Sequence, residues 1–324
     1  MLKTHLIKEI ETDLQMVENY LHSSINSSYR GFESSIRYLL KSGGKRIRPA
    51  FTLLAARYGC EDTESIVPLA AALELVHMAS LIHDDVVDSS DLRRGRPTIR
   101  KLYGNDFSLH LGVFLFARAL GIIGEYKSQE LNSMLAQAGI SMCRGEIEQL
   151  AEAYSYQTDL QQYFYHIKRK TASLVTVSCV AGAVAAGAGP KTIRTLRLYG
   201  HYLGMAYQIT DDVLDFTTDE KTFGKPVGSD MQQGVLTLPV IYVLKYGEDA
   251  AKYEILEMLD KKTFSAREVE RAAEIVSNNG AIAFSMNVAN KYVEKALRAA
   301  DNLPANRTTD ILKEIAGSIY TREY

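Results

Sequence analysis

Apolar residues recur three or four positions apart along almost the whole chain, which is the spacing of amphipathic and buried helices. The pattern is clearest in two long runs, Leu69–Asp88 and Leu196–Phe216, and neither run alternates as a strand would. Glycine and proline mark breaks between the helical runs, at residues 42–44, 95–97, 187–190 and 223–226. We therefore expect an all-α protein of about a dozen helices.

No linker rich in proline, glycine or serine and no block of like charge divides the chain, so we expect residues 1–324 to form one domain. The stretch Ala172–Gly189 has to be considered as a membrane span, because it carries no charged residue over 18 positions. A spanning helix needs about 20 predominantly apolar residues, whereas this stretch is mostly alanine, glycine, serine and threonine. We interpret it as a tightly packed helix in a soluble bundle.

Net charge, cysteine content and the amino-terminal residues indicate the cellular environment in which the protein works. The formal net charge of −2 gives no indication of binding to nucleic acid or to an anionic membrane surface. Cys60, Cys143 and Cys179 are widely spaced, so we expect reduced, mostly buried thiols. The amino-terminal residues lack an apolar core of signal-peptide length, and we expect a cytoplasmic protein.

Two acidic motifs stand at the carboxyl ends of the two long apolar runs, HDDVVD at residues 83–88 and TDDVLD at 210–215. Carboxylates crowded into one helical turn repel each other unless solvent or a cation screens them. One such motif is more often a solvated helix end, but two copies on facing bundle helices supply the oxygen-only ligand set that Mg²⁺ prefers. We predict metal binding by the aspartates of both motifs, Asp84, Asp85, Asp88, Asp211, Asp212 and Asp215.

A basic segment precedes the first acidic motif. Gly43 and Gly44 let the backbone approach an anion closely, and Pro49 suits the first turn of a following helix. The candidate phosphate-binding cations of this segment are Lys45, Arg46 and Arg48. Taken alone, the segment could equally be an ordinary basic helix start.

Three further side chains near the first motif can bind phosphate. His77 lies seven residues before Asp84, which places it two turns back on nearly the same helix face, although a lone histidine there is more often a core residue. Arg93 and Arg94 follow the motif, and arginine forks match diphosphate oxygens. In isolation this arginine pair could as readily belong to a solvated loop.

The second motif has polar neighbours of its own. Lys170 and Thr171 open the helix of small residues, and Gln208 lies three residues before Asp211. A buried glutamine without a partner is costly, so we expect Gln208 to face the site. Two sets of cations beside two sets of acids suit two diphosphates, one of them bridged by metal. The chemistry that needs such a site is ionisation of an allylic diphosphate, followed by attack of a second molecule's double bond on the carbocation.

At this point the sequence strongly resembles the trans-isoprenyl diphosphate synthase family, whose fold is one large helical bundle around a central cavity. Within that family it resembles the catalytic component II of the heptaprenyl and hexaprenyl diphosphate synthases of Gram-positive bacteria. The motifs that carry the likeness are GGKRIRP (43–49), ELVHMASLIHDDVVD (74–88), DLRRGRPT (91–98), CRGEIEQL (143–150), IKRKTASL (167–174), YQITDDVLDF (207–216), GKPVGSD (224–230) and LTLPVIYVL (236–244).

The resemblance implies a role for each candidate residue. Isopentenyl diphosphate would be held by Lys45, Arg48, His77 and Arg94, with Arg46 as a neighbour. The allylic diphosphate would be held by Arg93, Lys170 and Lys225 together with Mg²⁺, three ions per active site, bound mainly by Asp84, Asp88 and Asp211. Thr171 and Gln208 would stabilise the carbocation, and the released diphosphate would accept the proton.

In the family, the residue five before the first aspartate lines the floor of the pocket for the growing chain. Here that residue is Ala79, and Val76 and Ser80 lie on the same helix stripe, which leaves a groove. The alternative is that Ala79 merely allows close helix packing. The resemblance implies a product of about 30–35 carbons, heptaprenyl diphosphate for menaquinone side chains, with slow release that a membrane surface or a partner would assist. The expected assembly is a homodimer or a heterodimer with a small component I subunit.

Two departures from the family pattern stand out. Val113 replaces an aspartate and Val235 replaces a lysine, which puts the catalytic rate in doubt more than the reaction class. The alternatives are a shorter-chain farnesyl or geranylgeranyl synthase and a non-catalytic regulatory subunit. A class I terpene cyclase would not need the isopentenyl diphosphate pocket. A metal phosphohydrolase built on His83 and Asp84 would leave the second acidic motif unexplained.

Overall fold

The computed structural model describes residues 9–24, 30–44, 46–60, 62–155, 159–217 and 228–320. Two of the predicted cations, Lys45 and Lys225, lie outside these residues. The described chain is almost entirely helical, which confirms the predicted fold class, and its β structure is one two-stranded antiparallel hairpin, β1 (Leu92–Arg93) and β2 (Arg96–Pro97).

The α-helices are α1 Glu11–Ser24, α2 Arg30–Lys41, α3 Ile47–Ala56, α4 Val67–Val87, α5 Ile99–Tyr103, α6 Asn105–Gly124, α7 Gln129–Ala151, α8 Leu160–Ile167, α9 Ser173–Ala185, α10 Pro190–Thr217, α11 Ser229–Gln232, α12 Leu238–Tyr246, α13 Asp249–Lys261, α14 Ala266–Asn278, α15 Ala281–Ala300 and α16 Arg307–Gly317. A 3₁₀ turn, Glu64–Ile66, precedes α4, and a π-helical turn, Lys168–Ala172, joins α8 to α9.

The chain forms two compact units. The first unit comprises residues 1–137, 174–200 and 297–318, and the second comprises residues 138–173, 201–296 and 319–324. The two acidic motifs therefore belong to different units, the first motif to the first unit and the second motif to the second. The expectation of one domain over residues 1–324 stays a prediction.

Helix α4 is the centre of the first unit and packs against α1, α3 and α6. It is apolar on nearly all sides, as a core helix must be, and Leu73 is fully buried. Helix α9 approaches α3 so closely that a Cβ on Gly182 would overlap the carbonyl oxygen of Thr52. Only glycine fits at this crossing, so the small-residue composition of the 172–189 stretch serves close helix packing.

The core of the second unit is built from α8, α12, α13, α14 and α15, together with the second half of α10. Ile209, Leu238, Ile255, Val276 and Ala289 are among its fully buried side chains. The second half of α10, which contains the second acidic motif, packs against this core through its apolar residues. Apolar burial therefore holds the motif in place.

Short polar residues fix where several helices begin. Asp159 accepts a hydrogen bond from the backbone N–H of Gln162, whose side chain accepts one from the N–H of Asp159, so the two form a capping box at α8. Ser265 and Glu268 do the same at α14. Helix α8 carries a tyrosine of the candidate site, and its cap therefore sets the register of that residue.

The cysteine expectation is corrected by the structure. Cys179 is buried, but Cys60 and Cys143 are exposed. Cys143 lies on α7 and Cys60 in the loop after α3, positions whose exposure the local apolar pattern does not reveal.

Two helical stretches of the described chain are apolar and long enough to cross a membrane by length and composition, Glu64–Val87 and Asn105–Gly124. The first is 72% buried over its most apolar window, as a core helix is, whereas the second is only 39% buried. The stretch suspected in the sequence begins at the last residue of the π turn, and its helix α9 has 13 residues, too few to span a bilayer.

Candidate active site

A basic pocket in the first unit gathers three residues predicted for isopentenyl diphosphate, Arg46, His77 and Arg94, together with Arg93, which was predicted for the allylic diphosphate. It lies between the end of α2, the residues Ser42, Gly43 and Arg46, the second half of α4 and the hairpin β1–β2. Its lining includes Arg46, His77, Arg93, Arg94 and Arg96. The structure thus brings together basic residues from three separate segments of the sequence, as an anion site requires.

The hairpin turn places Arg94 over the pocket. Arg94 and Gly95 are the two central residues of the turn, and both have positive φ, 54° and 71°, as a type I′ turn requires. The Arg94 guanidinium donates a hydrogen bond to the carbonyl oxygen of Gly43. Tyr38 also ties the hairpin down, because its hydroxyl donates to the carbonyl oxygen of Pro97 at 2.7 Å.

Gly44 allows two guanidinium groups to approach each other. A Cβ at this position would lie 2.8 Å from one terminal nitrogen of Arg46 and 3.3 Å from one of Arg94. In the GGKRIRP motif, Gly44 therefore makes room for the two arginine side chains.

His77 is a neutral donor or acceptor inside this positive pocket. Desolvation lowers the pKa of His77 well below its ordinary value, and the nearby guanidinium groups, with Arg48 the strongest, lower it further. An anion bound in the pocket would offset the repulsion among these arginines, so the electrostatics of the pocket match a diphosphate.

Two of the pocket arginines are already paired with carboxylates. Arg46 is bound to Glu18 of α1 and, at 3.0 Å, to Glu74 of α4. Arg93 is bound to Asp85 at 2.8 Å, and Asp85 is only 4% exposed. These pairs hold α1, α4 and the hairpin together around the pocket. Arg46 was predicted as a substrate ligand, and the structure makes it the centre of a buried ion-pair cluster.

The remaining aspartates of the first motif are less enclosed. Asp84 and Asp88 are partly exposed, and Asp88 ends α4 as its C-cap. Val76 and Ala79 are buried in α4, and the Ser80 hydroxyl donates to the carbonyl oxygen of His77. The groove predicted along this stripe stays a prediction.

The second motif sits in a hydrogen-bonded chain that we call the Gln208 network, formed by Thr171, Gln208, Asp212 and Tyr163. Thr171 donates to the side-chain oxygen of Gln208 at 2.6 Å, and the Gln208 amide nitrogen donates to Asp212 Oδ1 at 2.8 Å. Tyr163 donates its hydroxyl to Asp212 Oδ2 at 2.6 Å. Gln208 therefore contacts the second motif through Asp212, and its orientation toward a substrate stays a prediction.

Asp212 and Asp215 are both buried, at 3% exposure each. Desolvation, with the charges of Asp230 and Asp211, raises the pKa of Asp212 to about 8. Asp215 accepts hydrogen bonds from the hydroxyl of Ser229 at 2.9 Å and from its backbone N–H at 3.2 Å, and so supports the start of α11. Asp211 is partly exposed, which leaves it better placed than either neighbour for an ion from solvent.

Lys170 is carried on the π turn that joins α8 to α9, a deviation that is frequent at functional sites. Its ammonium group lies 2.7 Å from Glu146 Oε2 and 3.5 Å from Gln149 Oε1, both on α7. Arg169 pairs with Glu148 of the same helix. Two ion pairs thus fix the π turn to α7, and one of them sets the position of the Lys170 ammonium group.

Glu146 and Tyr163 are the site residues that the sequence reasoning missed. Glu146 lies within the motif CRGEIEQL, which carries part of the family resemblance, but the sequence does not show which residue it contacts. Tyr163 lies seven residues before Lys170 in a run of aromatic residues that looks like ordinary core. Its partner Asp212 is 49 positions away, a separation that no local pattern reveals.

The residues of each motif suit a hard divalent cation because their ligand atoms are carboxylate oxygens. Within the described residues, no three side chains of His, Cys, Asp or Glu converge closely enough to hold an ion by themselves. A Mg²⁺ ion bound by Asp84, Asp88 or Asp211 would complete its shell with water and substrate phosphate oxygens, as Mg²⁺ commonly does.

Comparison with known proteins gives concordant matches. A sequence model of the polyprenyl synthetase family matches residues 30–276. The chain is 42% identical to heptaprenyl diphosphate synthase component 2 of Geobacillus stearothermophilus, over 97% of each chain.

Two solved structures resemble the fold closely. The heptaprenyl diphosphate synthase of Staphylococcus aureus superposes with a TM-score of 0.92 at 35% identity, over 97% of this chain and 99% of that one. A polyprenyl synthase of Caulobacter crescentus, complexed with calcium and isoprenyl diphosphate, gives a TM-score of 0.94 at 33% identity, over 98% and 97% of the two chains.

Proposed function

Because this chain belongs to the polyprenyl synthetase family, we propose that it makes heptaprenyl diphosphate by adding isopentenyl diphosphate units to an allylic diphosphate. The chain is a trans-prenyltransferase of the medium- and long-chain group. The observation that carries the proposal is the basic pocket, whose residues His77 and Arg94 we assign to the binding of isopentenyl diphosphate. A terpene cyclase has no use for such a site.

The reaction breaks the C–O bond between the allylic carbon and its diphosphate. The double bond of isopentenyl diphosphate then attacks the allylic cation, a new C–C bond forms, and a proton leaves the adjacent carbon to the released diphosphate. Magnesium, three ions per site in our proposal, supplies the positive charge that stabilises the leaving diphosphate. Asp84, Asp88 and Asp211 are the residues that we assign to hold it.

The side chains of this protein have separate tasks in that sequence. Arg48, His77 and Arg94 bind and orient isopentenyl diphosphate. Lys170 binds the allylic diphosphate from the π turn. Lys45 is assigned to isopentenyl diphosphate and Lys225 to the allylic diphosphate by their motifs alone. Thr171 and Gln208, which are hydrogen-bonded to each other, are the residues that we assign to stabilise the developing cation with their oxygen dipoles.

Helix α6 supports the proposal of a partner subunit. Its outer stripe carries Leu109, Val113 and Leu120, which are 41%, 60% and 42% exposed, with the small residues Ala117 and Gly121 among them. An apolar stripe of this kind is typical of a helix that packs against another chain. Val113 belongs to this outer stripe, whereas Gly112 packs against His83. The valine therefore adds to the apolar surface.

We propose that this surface binds either a second copy of the chain or a smaller subunit, as the name component 2 implies for the Geobacillus protein. The family match spans segments of both compact units, which supports one catalytic domain over residues 1–324. We place the enzyme in the cytoplasm, with transient membrane contact when the apolar product leaves.

The test is incubation of the purified chain, alone and with a candidate partner, with labelled isopentenyl diphosphate, farnesyl diphosphate and Mg²⁺. The expected product is heptaprenyl diphosphate, identified by chromatography of the dephosphorylated alcohols. Products that stop at farnesyl or geranylgeranyl length under all conditions would reassign the chain to a shorter-chain synthase. No incorporation under any condition would favour a regulatory subunit.

A further inference from the structure

The carboxylate of Asp212 is turned into the second unit, away from solvent. The residue is 3% exposed, and each of its two oxygens accepts a hydrogen bond from a protein side chain, Oδ1 from Gln208 and Oδ2 from Tyr163. A metal ligand needs a lone pair directed at the ion and a path for the ion to reach it. At Asp212 one lone pair on each oxygen already accepts a hydrogen bond within the Gln208 network, and burial leaves little room for an ion to reach the others.

This network determines which end of the Gln208 amide faces Thr171. Both oxygens of Asp212 accept hydrogen bonds, Oδ1 from the amide nitrogen of Gln208 and Oδ2 from Tyr163, so the amide NH₂ group faces Asp212. The side-chain oxygen of Gln208 must then face Thr171, which donates to it at 2.6 Å. With the amide reversed, two oxygen atoms would meet at Asp212.

Tyr163 holds the other side of the carboxylate. It is 3% exposed and donates at 2.6 Å, and its burial raises the pKa of the phenol well above the ordinary value, so the donor stays protonated. A phenol that donates to a carboxylate favours the ionised form of that carboxylate. Tyr163 comes from α8, whereas Gln208 and Asp212 come from α10, so the phenol joins two helices at the site.

We propose that Asp212 is an anchor rather than a metal ligand, and that Tyr163 is a positioning residue which acts through Asp212 to hold the Gln208 carbonyl dipole toward the allylic cation. The inference rests on the proposed role of Gln208 in the reaction. It replaces the metal role predicted from the motif for Asp212 and gives Tyr163 a role that no motif assigns.

The first test compares Tyr163→Phe with Tyr199→Phe. Tyr199 is a matched control because it is also fully buried and also donates one hydrogen bond, to the carbonyl oxygen of Leu312 at 2.7 Å, in the first unit. We expect both variants to lower the melting temperature, but only Tyr163→Phe to lower kcat, by about tenfold, with KM for both substrates unchanged. Equal kcat in the two variants would overturn the positioning role.

A double-mutant cycle then asks whether Tyr163 acts through Gln208. Gln208→Leu removes the amide, so adding Tyr163→Phe to it should cause little further loss of kcat. Losses that multiply would show independent action and overturn the proposal. If Gln208→Leu alone keeps full kcat, the assignment of Gln208 to the reaction is wrong, an outcome distinct from failure of the anchor.

The third test measures metal binding without turnover. Asp212→Asn keeps the shape of the side chain but can accept from only one of the two donors, so kcat should fall while Mn²⁺ binding in the presence of inorganic diphosphate, read by electron paramagnetic resonance, stays within about twofold. The comparison is Asp211→Asn, which should weaken Mn²⁺ binding at least tenfold. A comparable loss of Mn²⁺ in Asp212→Asn would show that Asp212 is a ligand. This measurement also decides the question if Tyr163→Phe does not fold.

Discussion

The aspartates within each acidic motif occupy different environments despite their identical chemistry. The middle residues, Asp85 and Asp212, are buried, Asp85 against Arg93 and Asp212 between Tyr163 and Gln208. Asp84 and Asp211 are partly exposed. Removing a carboxylate charge therefore has different consequences at neighbouring positions. A buried carboxylate accepts hydrogen bonds or ion pairs from other side chains of the protein, whereas a partly exposed one can bind a metal ion from solvent.

We expect Asp84→Asn or Asp211→Asn to lower kcat by about a thousandfold or more, since each removes a charge that acts mainly as the diphosphate leaves. Circular dichroism and melting temperature should stay close to those of the parent. Asp260→Asn, an exposed carboxylate at the end of α13, is the control and should leave kcat unchanged. A near-normal kcat at saturating Mg²⁺ in either motif variant would contradict the metal assignment.

His77 predicts a pH dependence of stability. Its pKa is lowered in the folded protein, so between that value and the ordinary 6.5 the unfolded chain binds more protons than the folded one. The free energy of unfolding should therefore fall as the pH drops below about 6.5, by up to ~1.4 kcal/mol per pH unit from this residue. Urea unfolding from pH 7.5 to 5.5 should show a shallower fall in His77→Gln than in the parent.

The matched control for this measurement is His110→Gln, because His110 is exposed on α6. It should preserve the parent's pH dependence. Saturating inorganic diphosphate should also flatten the fall in the parent protein, since a bound anion favours protonated His77. Parallel curves for the parent and both variants would show that His77 is not held neutral.

At the scale of elements, the crossing of α9 and α3 depends on one missing side chain. A Cβ on Gly182 would overlap the Thr52 carbonyl, and the Thr52 hydroxyl lies 3.2 Å from the carbonyl oxygen of Ser178 in the same contact. By contrast, a Cβ on Gly121 of α6 would meet nothing within 4 Å. Both glycines lie inside helices, so an alanine raises the helix propensity at either position. A difference between the two variants therefore reports the effect of packing.

Gly182→Ala should lower the free energy of unfolding by about 2–3 kcal/mol, because the helices must separate to admit the methyl group. Gly121→Ala should raise it by roughly 0.5–1 kcal/mol, the gain for replacing a helical glycine at an open position. Denaturant melts of the two variants provide the measurement. Equal effects would mean that the crossing is looser than the structure indicates.

The stripe on α4 gives a second prediction at this scale. Ala79→Phe places a large ring next to Val76, where the groove for the growing chain is proposed. The product should shorten to about 15–20 carbons, while the rate of the first condensation stays within a few-fold, because added bulk blocks only the longer chains. Leu73→Phe on the same helix is the control for a general packing defect, since Leu73 is fully buried. An unchanged product length in Ala79→Phe would contradict the groove.

At the scale of the whole molecule, the feature to explain is an apolar helix, α6, that the described residues leave largely exposed. Helix α6 is as apolar as the core helix α4 but far more exposed. Its outward residues are aliphatic or small, which suits packing against a protein surface. The exposed face is the surface that we propose for assembly.

Val113→Asp should weaken that assembly by placing a charge at the centre of the stripe. We expect sedimentation velocity to show a lower apparent mass, or weaker binding of the partner subunit, with little change in the melting temperature of the isolated chain. Tyr253→Asp is the control, because Tyr253 is 74% exposed on α13 in the second unit. The same assembly in both variants would exclude α6 as the interface.

The helices, the two acidic motifs and the reaction class were determined by the sequence itself. Helical periodicity and motif spacing are local properties, so the long runs ending at Asp88 and Phe216 and the aspartates at their ends could be placed without coordinates. The basic pocket was foreseeable for the same reason, because each of its cations lies within a short motif.

Only the tertiary structure decided how those residues are used. Arg46 forms ion pairs with Glu18 and Glu74. Lys170 lies on a π turn and pairs with Glu146, and Tyr163 donates a hydrogen bond to Asp212. Each of these outcomes depends on partners far apart in the chain. Burial decided the outcome at these positions, because a charge or amide taken out of water must find a partner wherever the fold places one.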